Sequence, residues 1–273
     1  MDPNAPKNPG RVVARRLNRV EYRNTVRDLV GVDFNPVGDF PADDVGYGFD
    51  NIGDVLSLPP LLMEKYMAAS RKIADQAVTG KDKDRLIFTV KPDGKRPNRD
   101  VAKELLAKLG MRAFRRLVQP DEMDRLLKLF DAGEKLEGAD FEKSLKLPLR
   151  GLLVSPFFLF RIEPEGVGAG DNYALGTWEL AARMSYFLWS SMPDDELFEL
   201  ARSGKLSAPA TIEQQVVRML KDPRAVALSE VFAPQWLQVR RLEDMKFDAA
   251  RFPGWNDGLR RAMLQELVLF FDA

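Results

Sequence analysis

Apolar residues recur at helical spacing along most of the chain, with polar residues between them. Val20, Tyr22, Val26, Leu29 and Val30 mark a first helix within LNRVEYRNTVRDLV. Asn18 can cap it, Glu21 can return the bond three residues later, and Gly31 can end it. Ser57, Pro59 and Pro60 open a second helix, which runs through LLMEKYMAASRKIADQAV to near Gly80. Val101, Leu105, Leu109 and Phe114 predict the next. Pro120 then starts a helix with Met123, Leu126, Leu127 and Phe130 on its apolar face, and Phe141, Leu145, Leu149, Leu152 and Leu153 form another such face. Five helices are expected in the last third. The first, Thr177 to Ser190, should bury Leu180, Ala181, Met184, Phe187 and Leu188. The following three begin at Pro193, at Ser207 with Pro209, and at Asp222 with Pro223. The fifth begins near Asn256, carries Leu259, Met263, Leu267, Phe270 and Phe271, and reaches Ala273 with no cap or breaker. It reads as cut in mid-pattern.

The fold class expected is therefore mainly α, with two to three packed helical units and at most a short strand near 86–90, where LIFTV is the one strand-like run. Two stretches interrupt the helical pattern. Residues 81–99 are charged and contain the Pro92-Asp93-Gly94 turn signal, and 166–172 read GVGAGDN. They divide the chain into units of 1–98, 99–168 and 169–273, the last truncated.

A third interruption, Asp39 to Pro60 (DFPADDVGYGFDNIGDVLSLPP), is too long and too rich in aromatic and aliphatic residues for a plain connection. Its carboxylates and amide make Asp39, Asp43, Asp44, Asp50, Asn51 and Asp54, with Tyr47, the candidate binding residues. Such oxygens could hold calcium, although the spacing is not that of an EF-hand, or bind sugar hydroxyls. Two of the carboxylates could act as acid and base on a glycosidic bond. Structurally, they could instead pair with Arg19, Arg23 and Arg27, which repeat at i, i+4 on the first helix.

Composition narrows the chemistry. The chain has 273 residues with no cysteine and no histidine. Disulfides, thiolate nucleophiles, covalent haem attachment, histidine triads and the usual zinc sites are all excluded. No catalytic residues stand out, and the balance is toward a non-catalytic protein. Forty-one basic residues balance forty-one acidic ones, so no nucleic-acid partner is expected. No membrane span is expected either, because the longest apolar run, Leu152 to Phe160, is broken by Ser155 and Pro156. The segment MDPNAPKNPGR lacks a signal-peptide pattern. Trp189 beside Asp194 and Asp195 reads as a packed ring next to a helix N-terminus, and Trp236 and Trp255 as core or interdomain anchors. Arg115, Arg116 and Arg161 are candidates for pairing with acids across unit boundaries.

Several segments together resemble a known set. RRLNRVEYRNTVRDLVGVDF with FPADDVGYGFDNIGDVLSLPPLLMEKY is similar to the first of three consecutive planctomycete domains of unknown function. MRAFRRLVQPDEMDRLLKLF with LLVSPFFLFRIE resembles the second. LAARMSYFLWSSMPDDELFELARSGKL, DPRAVALSEVFAPQWLQ and FPGWNDGLRRAM resemble the third. The resemblance implies a large exported protein, periplasmic or at the cell surface. It also implies flanking domains of the same polypeptide as partners, a c-type cytochrome domain among them. Haem c would belong to that flanking domain and to no part of this chain. Relatives often carry a cysteine pair at positions that here match Val90 and Val101, so an apolar pair replaces the disulfide the resemblance implies. Leu117 stands where a proline is usual, and Glu266-Leu267 where Glu-Thr is.

The reading that unites these features is a non-catalytic structural or binding module of a larger exported, c-type-cytochrome-associated protein. The alternatives are a carboxylate-based hydrolase acting on polysaccharide and a calcium-dependent carbohydrate-binding or adhesion module.

Overall fold

Asn18 starts the first helix as its sequence predicts. Its side chain accepts the Glu21 N–H at 2.9 Å, and the Glu21 carboxylate accepts the Asn18 N–H at 3.1 Å. Helix α1 (Arg19–Val30) then ends at Gly31, whose left-handed φ of 74° favours glycine. The computed structural model describes residues 14–163, 174–243, 245–248 and 250–272. The predicted GVGAGDN linker and residues 1–13 lie outside the described residues.

The remaining helices follow in chain order. They are α2 (Pro60–Ala77), α3 (Lys83–Leu86), α4 (Asn98–Phe114), α5 (Pro120–Glu134), α6 (Phe141–Ser144), α7 (Lys146–Val154) and α8 (Pro156–Leu159). After them come α9 (Thr177–Trp189), α10 (Asp195–Arg202), α11 (Pro209–Leu220), α12 (Ala233–Trp236) and α13 (Asp257–Asp272). The protein is mainly helical. The expected strand near 86–90 does not form. Lys83 O accepts both the Ile87 and Phe88 N–H groups, so the segment closes a helical turn and buries Leu86, Ile87 and Phe88. The two-stranded sheet pairs β1 (Arg15–Arg16) with β2 (Phe160–Arg161) instead, antiparallel, with Arg15 opposite Arg161.

Helices α2 and α5 both pack on α7, and α4 packs on α5. A single apolar core runs through them from Leu17 to Leu159 and takes in Ala182, Tyr186 and Met192 from the C-terminal region. Tyr22 of α1 is fully buried in it and meets the rings of Phe40 and Tyr66 at 5.2 Å and Phe158 at 5.9 Å. Gly133 lets α5 approach the α6–α7 corner, where a β-carbon would sit 2.5 Å from the Ser144 carbonyl oxygen. Val101 is fully buried, and Val90 packs partly buried against this same core.

The C-terminal region has a smaller core of its own, built around Trp189, Leu197, Leu206 and Met219. The helix expected from Asp222 is irregular. Asp222 caps a 3₁₀ turn (Pro223–Ala225), a π-helical turn (Leu228–Phe232) follows, and α12 completes the segment. Phe187, expected to be buried, is 62% exposed because α9 turns that face outward. Helix α13 buries none of its residues, and Leu259, Met263 and Phe270 of its expected apolar face are exposed.

Candidate functional site: the acidic turn and the junction beneath it

The acidic segment folds back on itself around a tight turn. Gly46 and Phe49 exchange two backbone hydrogen bonds of 2.9 Å, and the residues between them, Tyr47 (φ 53°) and Gly48 (φ 89°), are both left-handed. That is the backbone of a type I′ hairpin turn, which glycine fits and tyrosine does not. Tyr47 is held in this conformation at the tip, 95% exposed.

The carboxylates divide into buried and exposed groups. Asp43 pairs with Arg16 at 2.9 Å, with both side chains about one-twentieth exposed. Its other oxygen accepts the Arg19 N–H at 2.7 Å, one of the open donors in the first turn of α1. Arg16 also reaches the Ser57 carbonyl at 3.1 Å and the Tyr66 hydroxyl at 3.1 Å. Burial raises the Asp43 carboxyl above its ordinary value, against the pull of the Arg19 N–H and Arg16.

Asp50 is also buried, and it joins two regions of the molecule. Its carboxylate accepts Asn18 Nδ2 at 2.8 Å and pairs with Arg240, while its N–H donates to Gln235 Oε1 at 2.8 Å. One residue thereby links the cap of α1 to α12 and the turn after it. Asp39 makes a more exposed pair with Lys72 at 3.1 Å. Asn51 contributes its carbonyl to Arg15 at 3.2 Å. Asp44 and Asp54 are exposed and make no ion pair among the described residues.

The expected facing of this segment onto the arginine stripe needs correction. Arg19 does touch it, but through the carbonyls of Phe40 and Pro41, the latter at 2.9 Å, and through its own N–H. Arg23 pairs with Asp33 at 2.7 Å and Arg27 with Asp28 at 2.8 Å, both outside the segment. The cause is position. The turn region docks at the N-terminus of α1, where unpaired N–H groups favour carboxylates, and Arg27 lies about 12 Å further along the helix.

Residues outside the predicted set complete the junction. Tyr186 of α9 shares a hydrogen bond with Thr25 of α1 at 2.9 Å and accepts one from Arg115 at 3.1 Å. Arg115, itself left-handed (φ 57°), donates through Nη2 to the carbonyls of Phe157, Phe158 and Phe160 at 2.7–3.0 Å. It thus satisfies the open C-terminal end of α8 and pairs with no acid among the described residues, whereas Arg116 pairs with Glu122 at 2.7 Å. Arg161 lies 3.7 Å from Glu163, within its own segment. Further bonds cross to the C-terminal region, among them Arg112 to Asp195 at 2.9 Å, Ser191 to Asp28 at 2.6 Å and Asn24 to the Ser190 carbonyl at 3.3 Å. The signal for Arg115 was its place in an arginine pair. Tyr186, Gln235 and Arg240 carried no local signal.

Trp189 is packed, 1% exposed, with Nε1 donating to the Met219 carbonyl at 3.0 Å. Asp194 caps α10 by accepting the Leu197 N–H at 3.0 Å, and Asp195 lies in the first turn of that helix. Trp236 is 57% exposed rather than a buried anchor, although it stacks on Phe232 at 6.0 Å. Among the described residues no group of three or more His, Cys, Asp or Glu is placed to hold a metal ion. Among the same residues no helix is long and apolar enough to cross a membrane.

Three family models match the chain in succession. Residues 15–79 match PSD3, protein of unknown function (DUF1587), and residues 101–163 match PSD5, protein of unknown function (DUF1595). Residues 175–273 match PSD4, protein of unknown function (DUF1592). No curated protein and no solved structure matches the chain.

Proposed function

We propose that the chain, which carries these three consecutive domains, is a non-catalytic structural module of a larger exported protein associated with a c-type cytochrome. The observation that supports a structural role is the use made of the buried carboxylates. Asp43 and Asp50, the two most enclosed acids of the turn, are each held by a guanidinium and an N–H donor, and they fix the turn to α1 and to the C-terminal region. A hydrolase would need one such group as acid and another as base facing a substrate cleft. Among the described residues, neither Asp43 nor Asp50 lines the clefts beside Arg161, Arg23, Met123 or Asp194. The second support is the exposed apolar surface of α12 and α13, which suits contact with a further domain. Haem c would be carried by that flanking domain, since this chain has neither cysteine nor histidine to hold it.

The test is fractionation of cells that make the native protein, followed by haem staining and peptide identification. The proposal expects peptides of this chain in the periplasmic or surface fraction, in a haem-staining band much larger than 30.9 kDa. Peptides confined to a cytoplasmic band with no haem stain would overturn it.

A further inference from the structure

Helix α13 lies on the π-helical turn, on α12 and on the 3₁₀ turn Val239–Glu243, and its other side faces outward. Leu259, Met263 and Phe270 recur there at i, i+4 and i+11, all exposed, with Glu266 in line between them at i+7. This is the anchor spacing of a helix that lays one stripe into a groove. The exposed charged residues of α13 are Asp257, Arg261, Glu266 and Asp272, three acids and one base. Asp257 is held by Arg260 of the same helix at 2.9 Å, whereas Arg261 and Glu266 make no ion pair among the described residues.

A groove of the opposite character runs between α4, the start of α5 and the end of α10, with a volume of about 730 Å³. Its apolar lining is Ala107, Met111, Leu117, Val118, Pro120 and Met123. Methionines suit such a floor because they repack around whatever side chain arrives. Its charged lining is Lys103, Lys108, Arg202 and Asp124, three bases and one acid, all exposed. None of the four makes an ion pair among the described residues. Arg202 donates to the Met111 sulfur at 3.0 Å, a weak acceptor for a guanidinium. From Lys103 to Met111 α4 rises about 12 Å, and Met263 to Phe270 spans about 10 Å, so that part of the stripe fits the groove in length. We propose that α13 of one copy docks in this groove of a second copy. Met263 and Phe270 then meet Met111, Leu117 and Met123, and the acids of the helix face the three cations. The charge ratio of the helix is the inverse of that of the groove, the complementarity that steers and registers an interface. The inference goes beyond the structural reading above. That reading survives a monomeric result, because the exposed surface of α12 around Trp236 still remains for a further domain.

The experiment is sedimentation of the full chain over roughly 1–300 μM, where an interface of modest affinity shows itself. The proposal expects a mass that rises with concentration. Phe270→Asp alters only the helix, and the double variant Lys108→Glu, Arg202→Glu alters only the groove. All three positions are exposed, so the variants should fold as wild type does. Each variant alone should associate about tenfold more weakly, or less than that. Mixed in equal amounts, the two should recover a one-to-one pair, because one supplies an intact groove and the other an intact helix. A wild type that stays monomeric throughout would overturn the proposal. So would a groove variant that self-associates like wild type, which would mean that α13 meets some other surface, or a mixture that forms no pair.

Discussion

The core beneath α2, α4, α5 and α7 and the C-terminal end of the chain use the same kind of amphipathic helix with opposite results. In the first region Tyr22, Phe130, Phe158 and Leu106 are fully enclosed. In the second, Trp236 is 57%, Leu269 60% and Phe270 82% exposed, and no described residue of α13 is fully buried, although Leu264, Leu267 and Val268 are half-buried. A helix's apolar stripe is buried only where a second layer meets it. Alpha-7 supplies that layer in the first region, receiving α2 on one side and α5 on the other. Alpha-13 rests on the π-helical turn and α12, which are too short to cover it. The two regions therefore differ in what they have left to offer. The first is spent on its own stability, and the second keeps apolar surface of the kind that marks interaction sites.

Core truncation should separate them most strongly. Phe130→Ala should cost about 3–5 kcal/mol in urea unfolding, whereas Phe270→Ala should stay within about 0.5 kcal/mol. Equal costs would mean that α13 is packed after all. Next comes the link between the regions. Asp50→Ala should cost about 2–3 kcal/mol, less than a fully buried pair because Arg240 is 47% exposed, and proteolysis should then begin after residue 233. Initial cleavage within α2 or α4 would contradict this.

A smaller effect depends on pH. Hydrogen bonding from Arg116 holds the Glu122 carboxyl below its ordinary value, opposed by burial and aided by the Gln119 N–H. A depressed folded-state value means that this stability is present above the unfolded pKa of about 4.3 and lost as pH falls through the folded value. Glu122→Gln should therefore be less stable than wild type by about 1–2 kcal/mol at neutral pH, with the gap closing in acid. A gap that persists at pH 2 would rule out the ionic origin. The smallest effect is at the turn tip. Tyr47→Asn should gain less than about 1 kcal/mol by easing the left-handed backbone, since Asn tolerates that region. A loss of stability would show that the exposed ring does more than sit at the tip.

Much of the first region was legible because its signals are local. Asn18, Glu21 and Gly31 bracket α1 within a few positions, and Pro120 with Glu122 opens α5. The run LIFTV misled because β-rich apolar residues look alike whether they meet a strand edge or, as here, fill a core beside a helical turn. The acidic segment was recognisable as special from its composition, but its partners were not. Arg16 and Arg240 lie 27 and 190 positions from the carboxylates they hold, and nearby Arg23 and Arg27 were taken by closer acids. Exposure of Phe187 and Trp236 was equally illegible, because spacing shows which residues share a face and not whether another layer arrives to cover it.

Native-state hydrogen exchange on Asp50→Asn asks most directly whether this one carboxylate ties the acidic turn to the C-terminal region. The amides of α12 and α13 should lose protection while those of α2, α4, α5 and α7 keep theirs. Unchanged protection in α12 and α13, or an equal loss throughout the chain, would contradict the account.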